Sequence, residues 1–183
     1  MALKNNKMFI SLVVLAFVYF IFFYKWDVKE AVAYYADVNC QVNKDCLIDL
    51  HKITPFDWDR AYIFQSGETR ENIRDAIGVN FLYMIDVGVK YIFIKDNKIV
   101  YFEEYFPDMD YRDKNQVTPK FASYLLKGDY PSYYFLTKDN SQLLIKIRGD
   151  LQRKNNTFYE ISPSNKNQFE KYNTYKKIVT SIY

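Results

Sequence analysis

From residue 8 to residue 24 the chain is apolar or aromatic at every position except Ser11, and no charge interrupts the run. As a helix rising about 1.5 Å per residue it would span roughly 25 Å, near the lower limit for crossing a hydrocarbon core. Tyr24 and Trp26 suit the far interface. Lys4 and Lys7 precede the run and Lys25 and Lys29 follow it, a slight basic bias toward a cytoplasmic N-terminus. The expected organisation is a cytoplasmic N-terminus over 1–7, a transmembrane signal-anchor over 8–24, a juxtamembrane linker helix over 25–39 and an extracytoplasmic domain over 40–183. A cleaved signal peptide is the competing reading, with small residues available at Ala31-Val32-Ala33. Those residues lie behind the charged, bulky stretch 25–30, and the apolar run is long for such a leader. A pilin-like reading lacks the Gly-Phe junction and the early acidic residue.

Beyond the run the rhythm shortens. Val28, Val32 and Tyr35 recur at spacings of three and four, predicting a helix over 26–36. Residues 47–53 alternate as a half-buried strand, and 60–65 form another after Pro55. Ser66-Gly67-Glu68-Thr69 supplies helix-start chemistry, with Ile73, Ala76 and Ile77 on one face and Gly78 as the stop. The clearest local pattern is a hairpin, 91–95 and 98–104 around Asp96-Asn97. A second hairpin is expected from 133–137 and 142–148 around 138–141. The Lys-Asp-Asn common to both turns reads as shared turn chemistry rather than a repeat. Residues 121–127 have helical spacing, 158–162 read as a final edge strand, and 169–183 stay unassigned. The fold class is therefore α+β: an antiparallel sheet with a few short helices covering one face.

Composition sharpens this only in part. The 183 residues suit one core of about 150 residues plus a short extra segment. Tyr (18) and Phe (15) far outnumber Gly and Pro (five each), a balance that favours aromatic-lined strands over a loop-dominated fold. A net charge of +3 spread among acids does not imply nucleic acid. The basic and aromatic tail over 148–183 reads as a solvated face with rings packed inward. Cys40 and Cys46 are the only cysteines and enclose a short polar loop. They read as a local disulfide, which an extracytoplasmic compartment permits. Free thiols are the alternative, and a metal site is poorer still, because His51 is the only imidazole.

The stretch Ile53-Thr54-Pro55-Phe56-Asp57-Trp58-Asp59-Arg60-Ala61-Tyr62-Ile63-Phe64 resembles a family of small uncharacterised bacterial envelope proteins, many of them lipoproteins. Their pattern joins a Phe-Asp-Trp-Asp element to an aromatic strand, and the likeness runs through the 68–78 helix and the 91–104 hairpin. This chain departs from it at Gln65-Ser66-Gly67 and in having no lipid-bearing Cys. The resemblance implies envelope placement and a shared fold; it implies no activity.

Three features could carry chemistry. Asp57 and Asp59, two apart, would present both carboxylates on one side of an extended segment and Trp58 on the other. An acid/base or metal role is conceivable. The plainer reading has Phe56, Asp57, Trp58 and Asp59 shaping the entry to a strand, with Trp58 in the core. His51 reads as a bystander on a strand. No Gly pair has phosphate-loop spacing. The acidic, aromatic stretch Glu103, Glu104, Tyr105, Phe106, Asp108, Asp110, Tyr111 and Asp113 is the preferred contact surface, an exposed binding loop. No catalytic set, metal or cofactor is assigned. The expected protein is a membrane-anchored binding module of a bacterial envelope, an accessory subunit or an immunity-type protein. It would hold lipid through 8–24 and a protein partner through its domain, on the periplasmic side of the inner membrane. An envelope hydrolase using Asp57 and Asp59 is the alternative, and a purely structural envelope protein the blandest.

Overall fold

Arg-Ala-Tyr-Ile-Phe at 60–64 is buried at four of its five positions, and a strand apolar on both faces belongs in the middle of a sheet. The computed structural model, which describes residues 26–106, 116–121, 133–149 and 157–170, places it there. The described elements run in the order α1 (Val28–Asn39), β1 (Asp45–Asp49), α2 (Leu50–Ile53), β2 (Arg60–Phe64), α3 (Arg70–Ile77), β3 (Val89–Lys95), β4 (Lys98–Tyr105) and β5 (Gln116–Pro119). They continue with β6 (Tyr133–Thr137), β7 (Gln142–Gly149), β8 (Thr157–Pro163) and β9 (Phe169–Glu170). The protein is a mixed helix and sheet fold with mainly antiparallel pairing and a few short helices.

Instead of one sheet, the described strands form two. The larger has the strand order β4-β3-β2-β6-β9, all antiparallel; the smaller has the order β1-β7-β8-β5, with β5 parallel to β8. The facing sides of the two sheets enclose one core with α1: Ala61, Ile63, Tyr91, Phe93, Tyr134 and Leu136 meet Ile48, Leu143, Ile145, Tyr159 and Ile161. The opposite face of the larger sheet carries Tyr62, Phe64, Ile92, Ile94 and Tyr133, under α3 and the loop that follows it. Strand β2 is thus apolar on both faces because each face has its own core.

The 91–104 hairpin is present. Asp96 and Asn97 both have positive φ, 48° and 58°, the left-handed pair that a two-residue hairpin turn requires. The second expected hairpin is not. Strands β6 and β7 exist at the expected positions, but they belong to different sheets. Residues 138–140 form a single 3-10 turn that carries the chain from one sheet to the other. Tertiary partners decide this. Leu50 N donates to Ser141 O (3.0 Å), Ser141 Oγ donates to Asp49 (2.5 Å), and the buried Gln168 amide donates to Asn140 O and Gln142 O.

Other expectations are corrected in the same way. Residues 47–53 are not one strand: pairing stops at Asp49, whose carboxylate accepts from His51 N (3.2 Å) and starts α2. Strand β8 lies between β7 and β5 and is not an edge. Helix α3 has the expected cap at Thr69 and stop at Gly78, where φ is +68°. Helix α1 buries Val28, Val32, Ala33 and Ala36 completely, so it belongs to the core as well as to the approach from the N-terminus. Cys40 and Cys46 form the expected disulfide, which closes the turn between α1 and β1. Among the described residues no helix is long and apolar enough to cross a membrane. The apolar run 8–24, all but the first residue of the expected helix over 121–127, and residues 171–183 of the segment left unassigned lie outside the described residues.

Candidate functional site

The Phe-Asp-Trp-Asp element sits where three chain segments meet. Arg60 pairs with Ile94 on one side and Thr137 on the other, so the residues before β2 are flanked by the last residue of β3 and the first residue after β6. Those residues are Lys95 and Lys138, the first members of the two Lys-Asp-Asn triplets. Both reach Asp57, Lys95 at 2.6 Å and Lys138 at 2.7 Å. Lys138 and then Lys95 hold the Asp57 carboxyl well below the usual carboxylate range. Asp59 accepts from Asp96 N (2.8 Å) and lies 3.8 Å from Lys138. It therefore ties the β3–β4 turn to the start of β2.

Trp58 points the other way and is fully buried, with its indole N–H donating to Thr54 Oγ1 (2.9 Å). Phe56 stacks on Tyr101 and meets Phe93 edge-on. His51 lies on α2 rather than on a strand. Its ring packs edge-on against Trp58 at 5.3 Å, and its Nε2 is 3.7 Å from Asp57. A carboxylate whose proton affinity is lowered by two ammonium groups is a poor general base near neutral pH. Among the described residues no three His, Cys, Asp or Glu side chains gather at metal-binding distance. The element joins strand β2 to the ends of its two neighbours.

The acidic stretch after β3 is placed differently from the expected exposed loop. Glu103, Glu104 and Tyr105 are the last residues of β4, because the β3–β4 pairing runs on to Val89 opposite Tyr105. Glu103 turns inward, where it accepts from Val28 N (2.9 Å) at the start of α1 and from the Tyr101 hydroxyl (2.7 Å). Burial, with the acidic Asp27 nearby, pushes the Glu103 carboxyl up to about 7 against the two hydrogen bonds that favour its charged form. Glu104 pairs with the fully buried Lys90 (3.2 Å) and accepts from Asp86 N and Gly88 N, closing the loop over 86–88. Of this stretch Phe106 is exposed, while Asp108, Asp110, Tyr111 and Asp113 lie outside the described residues.

A surface that the sequence did not single out lies along α1. An open groove of about 640 Å³ is lined by Trp26, Asp27, Glu30, Tyr34, Tyr35 and Ile53, among others. The core face of α1 points inward, so the aromatic and acidic positions are left on its outer side. Tyr34 is 74% exposed, although it sits in a helix otherwise anchored in the core. The missed signal was the pair Tyr34-Tyr35. In a helix only one of two adjacent tyrosines can follow the buried stripe, so the other is presented outward. Compared with protein-family models, curated proteins and solved structures, the chain matches none.

Proposed function

We propose that the chain is a membrane-anchored protein-binding module of a bacterial envelope, held by residues 8–24 and receiving a partner's segment in the groove along α1. The observation that carries this reading is the groove's composition. Two acidic residues, Asp27 and Glu30, stand among Trp26, Tyr34 and Tyr35 on an accessible helix face. An exposed Tyr34 beside the half-buried rings of Trp26 and Tyr35 and two carboxylates suits a segment bearing Lys or Arg next to an apolar side chain, through charge pairing and cation–π contact. The apolar run, the disulfide and the likeness of 53–64 to envelope proteins support placement of the domain on the periplasmic side of the inner membrane.

The test is capture of partners by the full chain, solubilised from native membranes in mild detergent, compared with Glu30→Lys combined with Tyr34→Ala. Both side chains are exposed, and a lysine in the first turn of α1 costs only a little against the helix dipole, so the variant is expected to melt slightly below the parent. A stoichiometric partner held by the parent and lost by the variant supports the reading. Recovery of a lone monomer, or of a partner indifferent to the variant, overturns it. A turnover abolished by Asp57→Asn with Asp59→Asn in an intact fold would instead favour an envelope hydrolase.

A further inference from the structure

We propose that the loop of residues 82–87 is a lipid-facing contact that seats the edge of the larger sheet on the membrane surface; this rests on the anchor reading of residues 8–24. The loop presents Leu82, Met84 and Val87 to the outside at 72%, 88% and 63% exposure, with Tyr83 half-exposed between the first two. It is not a loose segment. Arg74 Nε donates to Phe81 O (3.1 Å), Gly67 N donates to Val87 O (3.1 Å), and Glu104 accepts from the amides of Asp86 and Gly88. A loop tied at both ends, at Phe81 and over 86–88, that holds three large apolar side chains outward calls for an apolar medium against it.

The identity of that medium follows from where the chain enters. Trp26 packs on Tyr101 at 5.1 Å, on one face of edge strand β4. On the other face, one residue along, Phe102 packs on Tyr83 at 4.7 Å and on Phe81. The entry point and the loop therefore flank the same stretch of β4. Only Lys25 separates Trp26 from Tyr24, the last residue of the apolar run, a reach of about 7 Å for two extended steps. A run embedded in a bilayer up to Tyr24 would hold this sheet edge at the headgroup level. At that depth Tyr83 suits the interface, while Leu82 and Met84 suit the acyl boundary. Phe106, directly after β4, is also exposed. So small a patch would bind lipid weakly alone. The tether makes the contact intramolecular, so that a few side chains suffice to orient the domain.

The experiment uses the full chain in vesicles of zwitterionic and anionic phospholipid, with a nitroxide on Met84→Cys and, separately, on Asn167→Cys near the opposite edge of the sheet. Cys40 and Cys46 are paired, so each variant offers one free thiol among the described cysteines. The expected result is a ratio of oxygen to aqueous nickel-chelate accessibility several-fold higher at position 84 than at 167. Leu82→Cys should repeat the result if labelling at 84 disturbs the loop. Equal ratios in a chain that resists carbonate extraction overturn this inference and leave the anchor standing. Shielding of position 84 from both reagents means that protein covers the loop, which also overturns it. A chain released by carbonate removes the anchor reading, and this inference with it.

Discussion

Two neighbouring glutamates, Glu103 and Glu104, differ because successive side chains of a strand point to opposite faces. Glu104 meets Lys90 and two amide donors, a set that satisfies a buried charge. Glu103 meets the start of α1 and a tyrosine hydroxyl beside Asp27, and burial prevails there over its hydrogen bonds. Its folded value of about 7 lies above the ordinary 4.5, so the native state holds a proton that the unfolded chain releases. The associated stability is fully present below about pH 4.5 and is lost as pH rises through about 7, amounting to up to about 3 kcal/mol. Glu103→Gln keeps acceptors for Val28 N and the Tyr101 hydroxyl while removing the titration. Denaturant unfolding at pH 5 and pH 8 should show a clear loss for the parent and a nearly flat profile for the variant. An equally steep profile in the variant would assign the pH dependence to other groups. The carboxylates at 103 and 104 were legible as an acidic cluster. Their burial was not, because inward and outward positions in β4 depend on what packs against each face.

Among the elements, the two Lys-Asp-Asn triplets show how far local sequence reaches. Following strands of similar composition, one triplet closes a hairpin and the other crosses between sheets. In the first, the turn's own backbone preference and the β3–β4 ladder agree. In the second, Asp49, Leu50 and Gln168 supply hydrogen bonds that only the assembled fold brings near. The α1–β1 turn is different again, since its constraint is covalent. Joining Cys40 to Cys46 closes a short loop, and removing that closure should cost about 2 kcal/mol through the unfolded chain's regained freedom. The expected outcome is a lower denaturation midpoint for the Cys40→Ser, Cys46→Ser variant, with an unchanged far-ultraviolet spectrum for the folded state. An unchanged midpoint would mean that native contacts alone hold α1 against β1.

At the scale of the whole molecule, the Asp57 cluster sits where the larger sheet's central strand, its hairpin and the crossing to the smaller sheet come together. Its ion pairs are about half exposed, and exposed pairs are weak and screened by salt. Asp57→Asn with Asp59→Asn should therefore lower the melting temperature by a few degrees in dilute buffer, with the difference shrinking in molar salt. A change of that kind without loss of any turnover fits a structural joint; an unchanged melting curve would argue that the charges serve something else.

Sequence alone determined what depends on neighbours along the chain. The α3 cap and stop, the Asp96-Asn97 hairpin, the buried Trp58 and the pairing of two cysteines six apart all follow from local geometry and the apolar periodicity. Tertiary structure decided what depends on contacts between distant residues. It split the strands into two sheets, brought Lys95 and Lys138 onto Asp57, drew Glu103 under α1 and left the 82–87 loop facing outward. The physical reason is that a strand's pattern shows that it has a buried face but not which partner buries it. That choice is made only when all the apolar faces compete for the same core.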